Sequence, residues 1–543
     1  MVSASPLRDS YRPAEQPAAV LDTTVGSVLA QAAAAVGDRI ALVEGVTDPA
    51  RRRRWTYAGL YGDACRAARA ILRHAGPGER VALLSPNRPE WVIAQFGAAL
   101  AGVTLVTVNP GYVDRELHHA LAVSGAVLVI YDDGWRDGQL DGSLRRLGPR
   151  LGALRHRVPL SDWPRFLGHG SEGDSAAGLP AVAPGEPALL QFTSGRTGTP
   201  KAALLHHRGV TNVPRSCFET IGIPAGTVFL NPLPLFHAAG CCTSLLGTVA
   251  RHGTFVLAAD ATPGLTAALV ADENVDAMGG VTTTLIRLLD NPQACRAASS
   301  LTHVLIGAST VPPDLIRRIE TALGVEVFNL YGQTELSPVF ATTRIGDSDA
   351  DKACTVGKPL PQADCKIIDP ATGDVVPLNT AGELCARGYQ VMMGYSTGPQ
   401  APPDSPVDGQ GWLHTGDLAA MDHRGYLTIT GRLRDLIIRG GENIHPAEVE
   451  AVVLAHAAIE DVAVIGLPHP VLGETIAAVL RLHGVAGVTS AELARHCASR
   501  LSRHKIPERW FVITGEFPQV GVGKVRKSVL RQRAVEGMLE PLP

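Results

Sequence analysis

Strand-like apolar runs alternate with helix-like stretches along the chain, and this alternation constrains the fold more than any other feature. RVALLSPNRPEWVIAQFGAALAGVTLVTVNP (80–110) reads strand, helix, strand, and RELHHALAVSGAVLVIYDD (115–133) repeats helix then strand. LTHVLIGASTVPPDLIRRIETALGVEVFNLYG (301–332) does so again, with Pro312 and Pro313 near the start of its helix. Apolar strands alternating with helices predict parallel sheets covered on both faces. A Gly/Ser/Pro-rich connector occupies 168–187. After about 366 the texture changes to short strands and turns (CKIIDPATGDVVP, GELCARG, GYLTITGRLRD), which predicts a small β subdomain. From 443 a compact α+β pattern follows: helix HPAEVEAVVLAH, strands DVAVIGL and TIAAVLRL, helix SAELARHCASRL. The expected organisation is a flexible segment over 1–22, a large N-terminal α/β domain over 23–432, and a small, mobile C-terminal domain over 433–543.

At 543 residues the chain is too long for one ordinary core. A formal net charge of -3 gives no global nucleic-acid footprint. The dense basic run RRRR (51–54) lies between ALVEG and WTYAGL and reads as a solvated hairpin loop. Nine cysteines include the adjacent pair Cys241 and Cys242 but no CxxC spacing, which argues against a structural zinc site and offers no disulfide framework. The first twenty residues carry Pro and charges where a signal peptide needs an apolar core. The run 92–108 is short for a membrane span and reads as a buried helix, a turn and a buried strand. The expectation is a soluble cytoplasmic protein with no integral membrane segment and no nucleic-acid partner.

Residues 191–201, QFTSGRTGTPK, are poor in apolar side chains and lie between two runs that read as buried. Freed backbone N–H groups, hydroxyls and one ammonium suit a phosphate chain; a polar surface turn is the alternative. The loop does not fit the Walker pattern, since Pro200 stands where the second glycine belongs. GHGSEG (168–173) matches GxGxxG, but with no strand before it and no helix after. GYSTG (394–398) matches the nucleophile elbow GxSxG, yet TGPQAPPDSP after Ser396 cannot form the required helix.

Six stretches in order, FTSGRTGTPK, PLFHAAG, NLYGQTE, GWLHTGDLA, GRLRDLIIRGGENIHPAEVE and GVGKVRK, resemble the adenylate-forming superfamily. Within it the chain is similar to fatty-acyl and medium-chain acyl-CoA ligases. The resemblance covers nearly all of the chain beyond its first twenty or so residues. It implies ATP, Mg²⁺ and CoA as cofactor and co-substrates, a small carboxylic acid as substrate, and compatibility with a homodimer. It places Thr193, Ser194, Gly195, Arg196, Thr197, Gly198 and Lys201 around the β/γ-phosphates. Arg196 replaces the family's usual threonine, and Ala202 its usual glycine. Gly307, Ala308 and Ser309 are implied to line the adenine. Asn329, Tyr331, Gly332, Gln333 and Thr334 form the nucleotide motif, with Tyr331 stacking on the base and Thr334 at a phosphate. Glu335 is the implied Mg²⁺ ligand, and Asp417 with Arg432 the ribose contacts. His237, Gly279, Gly280, Val281 and Gly332 border the acyl pocket, and Gly440 and Gly441 the pantetheine tunnel. Arg434 matches the hinge position, where the family more often has Asp or Lys. Lys524 matches the catalytic lysine that bridges the carboxylate and the α-phosphate; Thr334 and His237 complete the catalytic set.

These roles agree with the chemistry. Joining a carboxylate to a phosphate brings two anions together, and cations and oriented donors stabilise the crowded transition state. The expected activity is formation of acyl-AMP with release of pyrophosphate, then thioester formation with CoA. Three alternatives stand beside it: an enzyme that stops at acyl-AMP and hands it to a partner, a non-catalytic nucleotide- or acyl-binding relative, and an esterase using Ser396.

Overall fold

A computed structural model describes every residue outside 1–5, 16–18, 171–175, 194–199, 292–294, 296–299, 308–310, 399–400, 402, 440–441, 485–486 and 521–523. The chain divides into two compact units, one of residues 13–365 and 386–413, the other of residues 1–12, 366–385 and 414–543. The architecture is mixed α/β, with a large N-terminal sheet body and a smaller C-terminal domain.

The larger unit holds a nine-stranded and a seven-stranded sheet, each parallel in its interior; the first has antiparallel strands at both rims, the second at one. In the nine-stranded sheet Ala277–Val281, His303–Gly307 and Glu326–Gly332 are neighbours and run parallel. Their buried runs explain the pattern in the sequence: Met278, Val304, Ile306 and Val327 pack in one cluster with Leu315, Ile316 and Ile319 of the helix Pro313–Leu323. That helix starts with proline and stops at Gly324 in the left-handed region (φ 67°), so the chain can return at once into the next strand. In the seven-stranded sheet Arg80–Leu84 lies between Thr104–Thr107 and Leu128–Tyr131, all parallel. The run 92–108 is, as expected, the end of a buried helix (Pro89–Leu100), a turn and a buried strand. Among the described residues no helix is long and apolar enough to cross a membrane.

The basic run at 51–54 lies in a hairpin as expected, between Ile40–Gly45 and Arg54–Thr56, with Arg51, Arg53 and Arg54 exposed. Arg52 is the exception. Arg52 has a fully buried side chain that donates to Asp272 and Glu273, both at 2.8 Å. Arg53 bridges Glu44 and Glu90, and Arg54 joins Glu273. Asp272 and Glu273 lie 220 and 221 residues along the chain, so the compensation of Arg52 was invisible in the local sequence. Burial of its guanidinium is tolerated because two acids meet it.

In the other unit, Gly382–Gly388, Leu413–Met421 and Leu427–Arg432 are successive strands of a five-stranded sheet. The C-terminal part pairs Ile459–His469 with Gly473–Leu482 as a long hairpin and covers it with helices Pro446–Leu454, Ser490–Ala498 and Lys527–Val535.

Candidate active site

The two ends of the expected phosphate loop lie on paired strands: Pro187–Thr193 and Lys201–His206 run antiparallel with Thr193 opposite Lys201. Ser194, Gly195, Arg196, Thr197 and Gly198 lie outside the described residues, as do Ala308, Ser309, Gly440 and Gly441.

The nine-stranded sheet gathers the described residues expected on the adenine and acyl sides at one edge. Val281, Gly307 and Leu330 are in register across three parallel strands, so Gly279, Gly280, Val281, Gly307, Tyr331 and Gly332 all fall at the carboxyl ends of those strands. Open α/β sheets bind ligands at that edge. Packing separates these glycines into two kinds. A Cβ on Gly307 would stand 2.5 Å from the Leu330 carbonyl oxygen, and one on Gly332 would overlap the Pro338 carbonyl oxygen. A Cβ on Gly279 would meet only Leu233, Ser244 and Phe229 at 3.5 Å or more. Gly307 and Gly332 are therefore required by backbone approach, whereas Gly279 is not. Asn329 is tied into the sheet, its amide Nδ2 donating to Thr355 O at 3.0 Å. The Nε2 of Gln333 is buried with no hydrogen-bond partner.

After Gly332 the chain makes a 3₁₀ turn, Thr334–Leu336, which carries Glu335 inward. Glu335 is 8% exposed, and its Oε1 accepts the Tyr395 hydroxyl at 2.7 Å. Thr193 Oγ1 lies 3.5 Å from the same oxygen, and the Glu335 carbonyl accepts Met392 N–H at 2.9 Å. Among the described residues no cation pairs with this carboxylate. A buried carboxylate held by one phenol and otherwise uncompensated fits a hard divalent ion such as Mg²⁺. Lys201 places its Nζ over the Tyr395 ring, 4.3 Å from the centroid.

His237 follows the turn at Pro234 and opens an irregular helix whose middle, Ala239–Ser244, has π-type hydrogen bonding. Its Nε2 is buried without a partner, and burial brings its pKa down to about 4, so the ring is neutral at pH 7. His207, also at about 4 from burial, accepts Val25 N–H at 3.2 Å. Both groups bind a proton more readily unfolded than folded. Their stabilising contribution is full above about 6.5 and is lost as pH falls from there towards 4. Between pH 7 and 5, His237→Leu should therefore lose less stability than wild type by about 2 kcal/mol. Urea unfolding at both pH values measures the difference, and equal losses in the two proteins would mean that His237 is not buried neutral.

In the second unit, Asp417 faces Arg432 directly across an antiparallel pair, with Arg432 Nε 3.1 Å from Asp417 Oδ1. The turn before Asp417 is held by a carboxylate from the adjacent strand. Glu383 Oε1 accepts Gly416 N–H at 3.0 Å, and Oε2 is 2.9 Å from His414 Nδ1. Thr415 Oγ1 accepts Asp417 N–H and donates to Leu384 O. Glu383, Cys385 and His414 bring potential metal-ligating atoms within 4.8 Å of one another. The hydrogen bonds to both Glu383 oxygens account for that cluster without an ion. Arg434 lies in a 3₁₀ turn, Leu433–Asp435, and Lys524 begins the strand Lys524–Val525 paired with Gln519–Val520. Gly440 and Gly441 fall between the strands Ile437–Arg439 and Glu442–Ile444.

Tyr395, Glu383 and His414 were not among the residues expected at the site. Tyr395 and Ser396 belong to GYSTG, and the structure explains why that match is empty. Gly394–Ser396 is an edge strand paired with Lys201–His206, and Ser396 is 5% exposed with its Oγ bonded to Gly398 O and Arg80. Among the described residues no helix follows that strand to form an elbow. GHGSEG likewise begins at the end of a helix, Trp163–Gly168. The available signal for Glu383 was an acid embedded in an otherwise apolar strand, GELCA.

Two family models match this chain: AMP-binding enzyme over residues 29–396, and AMP-binding enzyme C-terminal domain over residues 448–524. The acyl-CoA ligase sidI of Aspergillus fumigatus is 35% identical, over 95% of this chain and 91% of its own length. The human mitochondrial medium-chain acyl-CoA ligase ACSF2 is 32% identical, over 94% and 87% respectively. Among solved structures, the o-succinylbenzoate CoA synthetase of Bacillus subtilis in complex with its acyl-adenylate intermediate superposes with a TM-score of 0.81 at 28% identity, covering 94% of this chain and 98% of that one. A nucleotide edge on parallel strands followed by a small α+β domain is the arrangement of adenylate-forming proteins. The chain belongs to the AMP-binding enzyme family of that superfamily.

Proposed function

We infer that the protein is an AMP-forming acid–CoA ligase. It activates a carboxylic acid as acyl-AMP with loss of pyrophosphate, then transfers the acyl group to CoA. The observation that carries this reading is the junction of strand-end glycines with the buried Glu335 carboxylate, one turn after Tyr331. Such a junction puts a flat apolar edge for a base beside a ligand for a phosphate-bound cation.

In the first half-reaction a carboxylate oxygen attacks the α-phosphorus of ATP and pyrophosphate leaves. Lys201, Thr193 and residues 194–198 hold the departing phosphates, and Thr334 donates to a phosphate oxygen. Arg196 adds a bidentate donor to that loop. Glu335 holds Mg²⁺, which when bound neutralises phosphate charge. Tyr331 stacks on adenine beside Gly307, Ala308 and Ser309, with Asn329, Gly332 and Gln333 completing the base side. Asp417 accepts the ribose hydroxyls with Arg432 beside it, and Lys524 bridges the carboxylate and the α-phosphate. In the second half-reaction the C-terminal domain, 433–543, turns about Arg434 and presents Gly440 and Gly441 to the pantetheine thiol. The thiol attacks the acyl carbonyl and AMP leaves.

The acyl group occupies the space bordered by His237, Gly279, Gly280, Val281 and Gly332. Neutral His237 and the apolar neighbours of Gly279 favour an uncharged, apolar acyl chain or ring. The reading includes a cytoplasmic location and allows a homodimer. Acid-dependent ATP–pyrophosphate exchange across medium-chain, aromatic and polycyclic acids, each run with and without CoA, tests it. Exchange with at least one apolar acid and thioester only when CoA is added are expected. Exchange without any thioester would favour the enzyme that stops at acyl-AMP.

A further inference from the structure

Two charged groups of the phosphate side converge on one residue that no motif assigned. Tyr395 lies on the edge strand Gly394–Ser396, opposite Ala203 of the strand that begins with Lys201. Residues two apart on a strand share a face, so Lys201 and Tyr395 are diagonal neighbours across the pair. The ammonium rests over the ring at 4.3 Å from its centroid, while the hydroxyl at the far end of the ring donates to Glu335 at 2.7 Å. One rigid side chain thus touches the phosphate-loop cation with its face and the metal-site carboxylate with its tip.

We propose that Tyr395 is a positioning residue for adenylation, holding Lys201 and Glu335 apart and each aimed at the magnesium–ATP complex. The inference rests on the assignment of Glu335 to Mg²⁺. Without a spacer, the ammonium of exposed Lys201 and the buried Glu335 carboxylate beside it pair with each other, and each is then lost to the ligand. A cation over an aromatic face is stabilised without losing its charge. A phenol donating to one carboxylate oxygen fixes that carboxylate's plane and leaves the second oxygen to accept a metal. The short edge strand supplies rigidity, because its pairing with Ala202, Ala203 and Leu204 leaves the ring little freedom.

Calorimetry of ATP binding in the absence of acid, in EDTA and in saturating Mg²⁺, separates the two contacts. Tyr395→Phe keeps the ring under Lys201 and removes only the hydroxyl. Its ATP affinity in EDTA should match wild type, which also shows the fold intact, while the gain in affinity on adding Mg²⁺ should shrink about tenfold, as for one lost hydrogen bond to a charged group. Tyr395→Leu should in addition weaken binding in EDTA, because Lys201 is released towards Glu335. Glu335→Gln is the reference for the metal site. If it removes the Mg²⁺-dependent gain and Tyr395→Phe does not, the positioning role is overturned and the metal assignment stands. If Glu335→Gln leaves that gain intact, the metal assignment and the positioning role fall together.

Discussion

Lys524→Ala should slow acyl-AMP formation by at least about 10²–10³-fold, the loss expected when one preorganised charge is removed from a developing anion. Single-turnover assays started from acid, ATP and Mg²⁺ measure this step. The same variant supplied with synthetic acyl-AMP and CoA should form thioester at close to the wild-type rate, since the carboxylate and α-phosphate are already joined. The backbone places Lys524 at the start of a short hairpin strand, beyond the residues 521–523. A folding defect would slow both half-reactions, so a selective defect in one of them points to chemistry rather than stability. Equal slowing of both steps, or of neither, would remove Lys524 from the role of bridging cation.

Gly332→Ala is expected to be the most damaging of the single-methyl substitutions at the nucleotide edge. The added Cβ overlaps the Pro338 carbonyl oxygen and would lie 2.9 Å from Val339 Cα, both backbone atoms of the adjoining antiparallel strand region. Backbone cannot rotate out of the way as a side chain can, so the pair must separate. Overpacking of this kind costs roughly 1–3 kcal/mol of stability. The larger effect is on function. Thr334 and Glu335 follow two and three residues later on the same turn, and a shift of about 1 Å in such groups costs roughly 10²-fold in rate. Gly279→Ala is the control, because its Cβ would meet neighbours only at ordinary contact distance. Pyrophosphate exchange with thermal unfolding in parallel compares them. Exchange by Gly332→Ala within a few-fold of Gly279→Ala would show that the turn does not depend on close backbone approach.

Features that depend on neighbours along the chain were legible before any contact was known. Alternating apolar strands and helices set the parallel sheets, because each element's buried face is written in its own periodicity. The prolines and glycines that start and stop the helix 313–323 act through their own φ angles, and they too are local. Motif order across the chain was enough to reach the family, and with it the nucleotide chemistry. Rejecting Ser396 as a nucleophile also needed only the prolines that follow it.

Only the tertiary structure decided which distant groups meet. Within the basic run at 51–54, Arg52 alone is buried, because Asp272 and Glu273 arrive from another element to neutralise it. Glu383 stands out locally only as an acid in an apolar strand, and nothing there shows that it holds the turn before Asp417 through two hydrogen bonds from a strand 31 to 33 residues away. Tyr395 lay inside a motif discarded for sound local reasons, and edge-strand pairing alone brings it under Lys201 and against Glu335. The physical reason is the same in each case. Electrostatic and hydrogen-bond partners are selected by distance in space, and a chain's periodicity records which face of an element is buried without recording whose charge it will meet there.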